Sequence, residues 1–442
     1  MWNVFGLALG LLLVSSSALA GQLTAGDVDD HLNFDDYLDF IDAAGLPLLD
    51  LSDRITIRIS DSSGRPFSHA KVSITASGRR DAASLVAGAD GVLRLFPALD
   101  GFQGNAILTL KVQAPDGSMT TISELDTGAL GPEREYAVVL PGQAHAPQAL
   151  DLMVVLDTTG SMGDEIGYLK EEFQAIAARI LDESPGVEIR FGLTAYRDRS
   201  GPEFITRPYG FTSSLDTMQE WLGEMASQGN HDWPEAVEDG LRDALSADWR
   251  GYDASQVLLL VGDAPPYPER MAAALDLVHQ GRNAGIRIYP LGASDIATDP
   301  MGEQFFRAAA VLTQGRYLFL TDDSGLGNPH GEPSIRCYVV TDLDNLLRRV
   351  VQSELTGLRV EPAPEEVLRT VGGYRAGMCD APAPSSGVAP SASLAQGMVV
   401  ADEAPTLFLL IVGIVIVVTG IASAVYVGQR RQRAGPKRRD AR

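Results

Sequence analysis

Two short runs hold the residues whose types and spacing could do chemistry. Asp157-Thr158-Thr159-Gly160-Ser161 sets one carboxylate and two hydroxyls at alternate positions, and Gly262-Asp263-Ala264-Pro265-Pro266 adds a second carboxylate. Each follows directly on an apolar stretch, Leu152–Leu156 and Val257–Val261. Carboxylate and hydroxyl oxygens are hard donors, so the set suits one divalent cation, Mg²⁺ first and Mn²⁺ or Ca²⁺ as well, and not zinc. A third run, Gly229-Asn230-His231-Asp232-Trp233-Pro234-Glu235-Ala236, offers Asp232 as a further ligand. Glu235 and His231 beside it are expected at a secondary position or on the rim. Other chemistries lack their parts. The loop after the first apolar stretch has neither G-x-G-x-x-G nor Gly-Lys-Ser/Thr to cradle a phosphate. Between residues 21 and 404 there is no H-E-x-x-H, no His/Ser/Asp nucleophile order and no Cys/His pair, so no catalytic residue is expected.

The elements that must position these residues follow from hydrophobic periodicity. From Leu150 onward, apolar strands alternate with amphipathic helices: strands at 152–156, 189–195, 257–261, 286–291 and 317–320, helices at 166–180, 215–225, 234–245, 271–278, 305–312 and 343–355. Such alternation predicts a parallel sheet covered on both faces, a doubly wound Rossmann-like domain over 150–357. In that architecture sites lie beyond the carboxyl ends of strands, at the point where strand order reverses. Both Asp157 and Asp263 fall there.

Upstream, the period is two. Ile55, Ile57 and Ile59 alternate with polar residues, and further short runs with Gly, Asp, Ser and Pro between them continue to Leu140. This predicts an all-β sandwich over 53–140, preceded by an acidic lead-in at 21–52 and followed by a Pro/Gly/Ala linker at 141–149. Residues 358–405 read as a stalk rich in Pro, Ser and Ala. Two cysteines, Cys337 and Cys379, suggest a single disulfide.

Both ends read as targeting segments. Val4–Val14 is nearly continuously apolar and Ala18-Leu19-Ala20 follows it, the pattern of a signal peptide at 1–20. Residues 406–427 carry no charge and as a helix would reach about 33 Å, enough to cross a bilayer. The basic tail at 428–442 would then stay cytoplasmic. The expectation is a single-pass membrane protein with its bulk facing outward, in a periplasm or at a cell surface. Without the tail, 28 basic residues face 57 acidic ones. That balance favours cations and excludes nucleic acid as a partner.

Four motifs carry a resemblance. Asp157-x-Thr159-x-Ser161 is similar to the D-x-[ST]-x-S loop of the metal-ion-dependent adhesion site in von Willebrand factor A (VWA) domains. Gly192–Asp198 with Tyr196-Arg197-Asp198, Gly229–Ala236 and Val261–Pro266 resemble further segments of bacterial-type VWA domains. The resemblance implies a non-enzymatic, metal-dependent protein-binding module for adhesion or scaffolding. Thr159 and Ser161 would touch the metal directly, and Asp157 and Asp263 directly or through water. A carboxylate from a protein partner would complete the shell. The sandwich resembles carboxypeptidase regulatory-like, immunoglobulin-type modules through Ser63-Gly64-Arg65-Pro66, Ala70-Lys71-Val72 and Ala89-Asp90-Gly91-Val92. Two alternatives stand beside this reading. One is a VWA subunit modulating a membrane complex. The other is a haloacid-dehalogenase-like phosphotransferase, whose D-K-T-G-T loop Asp157–Ser161 also resembles. Its mechanism needs a lysine near the nucleophile, and none of Lys71, Lys111, Lys170 and Lys437 lies between the first helix of the α/β region and the tail.

Asp232 departs from the family pattern, which has a threonine in the third loop. A third carboxylate would hold the cation more tightly and repel the partner's carboxylate. Two like charges ~6 Å apart at an effective dielectric of 20 repel by about 2.8 kcal/mol. Asp232→Thr is therefore expected to loosen the metal and strengthen binding of a carboxylate-bearing partner. Calorimetry on the two proteins reads both; unchanged metal affinity would remove Asp232 from the coordination shell.

Overall fold

The computed structural model describes residues 22–380 apart from 45–48, 78–82, 200–202, 230–233, 252–253, 295, 297–298 and 326–328. The expected signal peptide, membrane helix at 406–427 and basic tail at 428–442 lie outside the described residues, as do Asp232 and His231.

The main sheet has nine strands. Its centre is the parallel set β9 (Ala149–Asp157), β10 (Glu188–Tyr196), β12 (Ser255–Gly262), β13 (Arg287–Gly292) and β14 (Tyr317–Thr321). β11 (Thr206–Thr212) closes one side, antiparallel to β10. On the other side lie β1 (Thr24–Val28), β15 (Tyr338–Asp342) and β16 (Arg369–Val371), giving the order β11-β10-β9-β12-β13-β14-β1-β15-β16. β9 alternates its side chains between two cores, as a strand buried on both faces must. Leu150, Val154 and Leu156 meet α2 (Gly163–Glu183), α3 (Leu215–Glu224) and α7 (Leu343–Thr356). Met153 and Val155 face α1 (Phe34–Ala44), α4 (Val237–Leu245), α5 (Met271–Ala284) and α6 (Pro300–Thr313).

Between β1 and β9 the chain forms two small sheets. β5 (Val92–Leu95), β2 (Ile55–Ser60) and β8 (Glu135–Val139) make one; β4 (Ala83–Val86), β3 (Lys71–Ala76), β6 (Ile107–Gln113) and β7 (Met119–Asp126) make the other. Ile55, Ile57, Val72, Leu95 and Leu110 share one core between them. This pair is tied to the main sheet by polar contacts. Arg282 of α5 pairs with Asp100 at 2.5 Å, both nearly buried, and Ser255 Oγ lies 3.3 Å from His69 Nε2.

The structure corrects the expected fold class. In place of a sandwich followed by a separate doubly wound domain, the described residues form one mixed α/β fold in which a nine-stranded sheet with seven α-helices adjoins the two small sheets. Among them no helix is long and apolar enough to cross a membrane. The physical reason lies in the flanking segments. Thr24–Val28, inside the supposed lead-in, inserts as a strand between β14 and β15, antiparallel to both. Residues 369–371, inside the supposed stalk, extend the sheet beyond β15. A disulfide between Cys337 and Cys379, with Cα atoms 5.4 Å apart, holds the following hairpin of β17 (Tyr374–Arg375) and β18 (Met378–Cys379) to the start of β15.

Asp27 is what makes β1 fit. It is 1% exposed in the middle of the sheet, with Arg316 Nη1 at 2.6 Å, Arg359 Nη2 at 3.2 Å and Arg349 Nη1 at 3.9 Å. Burial alone would raise its pKa, but Arg316, Arg359 and Arg349 together hold the carboxyl well below the usual range. Asp27→Asn leaves three enclosed guanidinium groups short of their counter-charge. A loss of roughly 3–5 kcal/mol is expected, read as a lower midpoint in urea; a change under ~1 kcal/mol would show that the cluster does not hold β1.

Candidate functional site

Asp157 and Asp263 sit at the carboxyl ends of the neighbouring parallel strands β9 and β12. β9 is paired to β10 on one side and β12 on the other, which makes its end the switch point of the parallel set. Asp157 is fully buried and Asp263 is 2% exposed. Thr159 wraps back on Asp157: its N–H donates to Asp157 Oδ1 at 2.9 Å and its hydroxyl to the same oxygen at 2.8 Å. The Thr159 and Ser161 hydroxyl oxygens are 3.4 Å apart. Two carboxylates and two hydroxyls thus gather just ahead of α2. Burial, and then the charge of Asp263, push the Asp157 carboxyl well above its usual range, and the hydrogen bonds from Thr159 only partly offset this. A pair in this state needs a proton or a cation.

Tyr196, the last residue of β10, fixes the spacing. Its ring is fully buried, and its hydroxyl is pushed well above the usual range by burial and then by Asp157, Glu235 and Asp263. The ring is wedged between two glycines. A Cβ on Gly262 would stand 2.4 Å from the Tyr196 hydroxyl oxygen, and one on Gly240 2.9 Å from its Cδ1. Gly262 is required because the strand bearing Asp263 must approach that hydroxyl without a side chain.

The third loop is clamped to the first. Arg197 donates to the Thr158 hydroxyl at 3.2 Å, to Gln228 Oε1 at 3.1 Å and to the Ala226 carbonyl at 2.9 Å, while Gln228 N–H reaches the Thr158 carbonyl at 3.1 Å. Glu235, 2% exposed, bridges to the Asp263 loop through its N–H and the Pro265 carbonyl, 3.1 Å away. The structure thus brings Asp157, Thr159, Ser161, Glu235 and Asp263 to one edge. Among the described residues, no group of three or more His, Cys, Asp or Glu side chains is placed to hold a metal ion. What gathers instead is the mixed set of carboxylates and hydroxyls.

Two residues of this edge were missed in the sequence. Glu165, in the first turn of α2, accepts from Ser294 at 3.4 Å and has His330 Nε2 at 3.7 Å. His330 Nδ1 lies 2.9 Å from Asp322 Oδ1 on the other side. Both are buried, and neither falls in a motif.

Residues 151–289 match the family described as von Willebrand factor A domain, so the chain carries a VWA domain. The chain is similar to the alpha-protein kinase vwkA of Dictyostelium discoideum, 25% identical over 154 residues, 35% of this chain and 24% of that protein. It is also similar to the putative ariadne-like RING finger protein R811 of Acanthamoeba polyphaga mimivirus, 28% identical over 118 residues, 27% of this chain and 11% of that protein. The matches therefore span a quarter or less of those relatives' lengths. Among solved structures, it is similar to an aerotolerance-related membrane protein from Bacteroides fragilis, at 12% identity and a TM-score of 0.32 over 47% of this chain and 100% of that one. BatB from Bacteroides thetaiotaomicron gives 12% identity and a TM-score of 0.31 over 47% and 98%.

The Glu165–His330 contact makes the rim pH-sensitive. Burial raises Glu165 to about 7, against a smaller opposing effect of the His330 ring beside it. Burial lowers His330, but the Glu165 and Asp322 carboxylates on its two sides outweigh it and leave the ring above its usual value. Both groups hold protons more tightly in the folded chain. Their contribution is present at low pH and is lost as pH rises through about 7. The wild type is expected to lose more melting temperature than Glu165→Gln between pH 5.5 and 8; parallel curves would contradict the coupling.

Proposed function

We propose that the VWA domain carried by residues 151–289 is a metal-dependent protein-binding module with no catalytic step of its own. The family is one of protein-interaction modules, often metal-dependent. Asp157, Thr159, Ser161 and Asp263 would hold one Mg²⁺, Mn²⁺ or Ca²⁺, with Asp232 as a further ligand and Glu235 on its flank. The observation that carries the reading is the buried carboxylate pair, each partner of which makes ionisation of the other costly. The donor set fits a hard cation, since every side chain offers oxygen. When bound, the ion supplies an electrophilic position for a carboxylate from a protein partner. The chain's own residues do the rest. Thr159 orients Asp157 through two hydrogen bonds, and Arg197 ties the third loop to the first through Thr158, Gln228 and Ala226.

The kinase and RING activities named for the relatives are not carried over, because the shared segments are a small part of those proteins. The disulfide supports placing this chain in an oxidising compartment, outward of the cytosol.

After EDTA treatment, adding Mg²⁺ or Mn²⁺ is expected to raise the melting temperature of the full chain. At ~100 times its dissociation constant, a metal that binds only the folded state adds about 2.7 kcal/mol. Asp157→Ala should fold and show no metal response. Equal shifts in both proteins would place the metal elsewhere, and no shift in the wild type would end the proposal.

A further inference from the structure

The opposite edge of the main sheet holds a second polar cluster. β13 and β14 begin there, and a cavity of about 110 Å³ lies between their first residues, the end of α7, the β1–α1 loop and the start of β5. That is several times the room one water needs. Four arginines line it: Arg94, Arg287, Arg316 and Arg359. In a chain of net charge −23 this is an unusual concentration of positive charge.

The guanidinium groups are only partly used. Arg287 spends Nη1 on the Gln314 carbonyl and has Nε 3.4 Å from Glu354 Oε2, while its Nη2 makes no hydrogen bond and has Asp90 Oδ1 no nearer than 3.6 Å. Arg316 spends Nη1 on Asp27 at 2.6 Å and leaves Nη2 without a hydrogen bond. Arg359 binds Asp27 and Glu361, and its Nη1 is without a hydrogen bond, 3.5 Å from Asp29. The side chains of Arg287 and Arg316 are 8% and 5% exposed, so bulk water does not serve these donors. Asp29, Asp90 and Glu354 also line the cavity, but burial raises the Glu354 pKa and so weakens its charge. The charges on the wall are mixed: burial first, then Arg94, Arg54 and Arg287, hold His31 well below its usual range, while Glu354 and Asp90 favour the charged form of Arg287.

Buried donors without acceptors are costly, and the group that matches several guanidinium forks at once is an oxyanion. We propose that this cavity binds one small tetrahedral oxyanion of the phosphate or sulfate type, held by Arg94, Arg287, Arg316 and Arg359. Such an ion would join the β2/β5/β8 sheet to the base of the main sheet, because Arg94 comes from β5 and Arg287 from β13, with Arg316 just ahead of β14 and Arg359 in the segment after α7. The site is independent of the metal reading and lies at the other ends of the parallel strands.

The test uses the full chain at fixed ionic strength, with EDTA present so that the metal edge contributes nothing. Inorganic phosphate, sulfate, O-phosphoserine and chloride are compared by calorimetry and thermal melting. Phosphate or sulfate is expected to bind and raise the melting temperature where chloride does not. Binding of O-phosphoserine as tightly as phosphate would assign the site to the phosphoryl group of a larger molecule, and its exclusion would assign it to the free ion. Arg287→Lys keeps the charge but loses the fork, and should weaken binding roughly tenfold. Arg94→Gln tests the same point at a partly exposed side chain whose hydrogen bond in the fold, to Gln314 Oε1, is 3.4 Å long, so it remains informative if Arg287→Lys does not fold. A response to phosphate and sulfate no larger than to chloride, or variants that bind like the wild type, would overturn the proposal and leave a water-filled cavity.

Discussion

Two carboxylates buried side by side at the ends of adjacent parallel strands are the constraint around which this edge of the protein is built. Asp157 and Asp263 cannot both be ionised cheaply in that setting, because burial and mutual repulsion act in the same direction. The surroundings hold them there regardless. Parallel pairing of β9 with β12 puts the strand ends level, and the Tyr196 ring, seated between Gly240 of α4 and Gly262 of β12, fills the space behind the end of β12. Thr159 returns to Asp157 through two bonds, so the loop that carries Ser161 is closed before α2 begins. An arrangement this fixed and this unfavourable to two bare anions is what a cation-binding site requires of its protein.

The other edge shows a complementary arrangement with the signs exchanged. Arginines from β13, the residue before β14, α7 and the segment after it crowd round Asp27, Asp29 and Glu354, and β1 is stitched into the sheet through them. Residues about 300 positions apart thereby become neighbours: Thr24 donates to the Thr321 carbonyl, and Asp27 meets Arg316 and Arg359. The fold closes by joining its beginning to its end, and the Cys337–Cys379 link secures the last part of that closure.

The candidate site was largely legible because its signals are local. A run of apolar residues ending in Asp-x-Thr-x-Ser, and another ending in Gly-Asp, announce strand ends without knowledge of the partner strands. Glu235 was legible as a neighbour of the site, and the bridge from its N–H to Pro265 supplies the reason. What stayed hidden depends on long-range pairing. β1 reads as an acidic stretch, since nothing around Asp27 in sequence announces three arginines from the far end of the chain. β11 was missed because Pro208 and Gly210 interrupt an otherwise aromatic run, features an edge strand tolerates. Arg197 falls in a motif, but nothing in its spacing announces that it ties the third loop to the first. Glu165 and His330 come from a helix start and a distant loop and carry no spacing signal at all.

The account turns on whether a cation, and not a shared proton, resolves the Asp157–Asp263 pair. Anomalous diffraction from crystals grown with Mn²⁺ decides this directly. The expected result is one manganese peak at the ends of β9 and β12, roughly 2.0–2.6 Å from the Thr159 and Ser161 hydroxyl oxygens, with Asp157 and Asp263 facing it. A structure at saturating Mn²⁺ with no peak there, and with the two carboxyl groups hydrogen-bonded to each other, would contradict it.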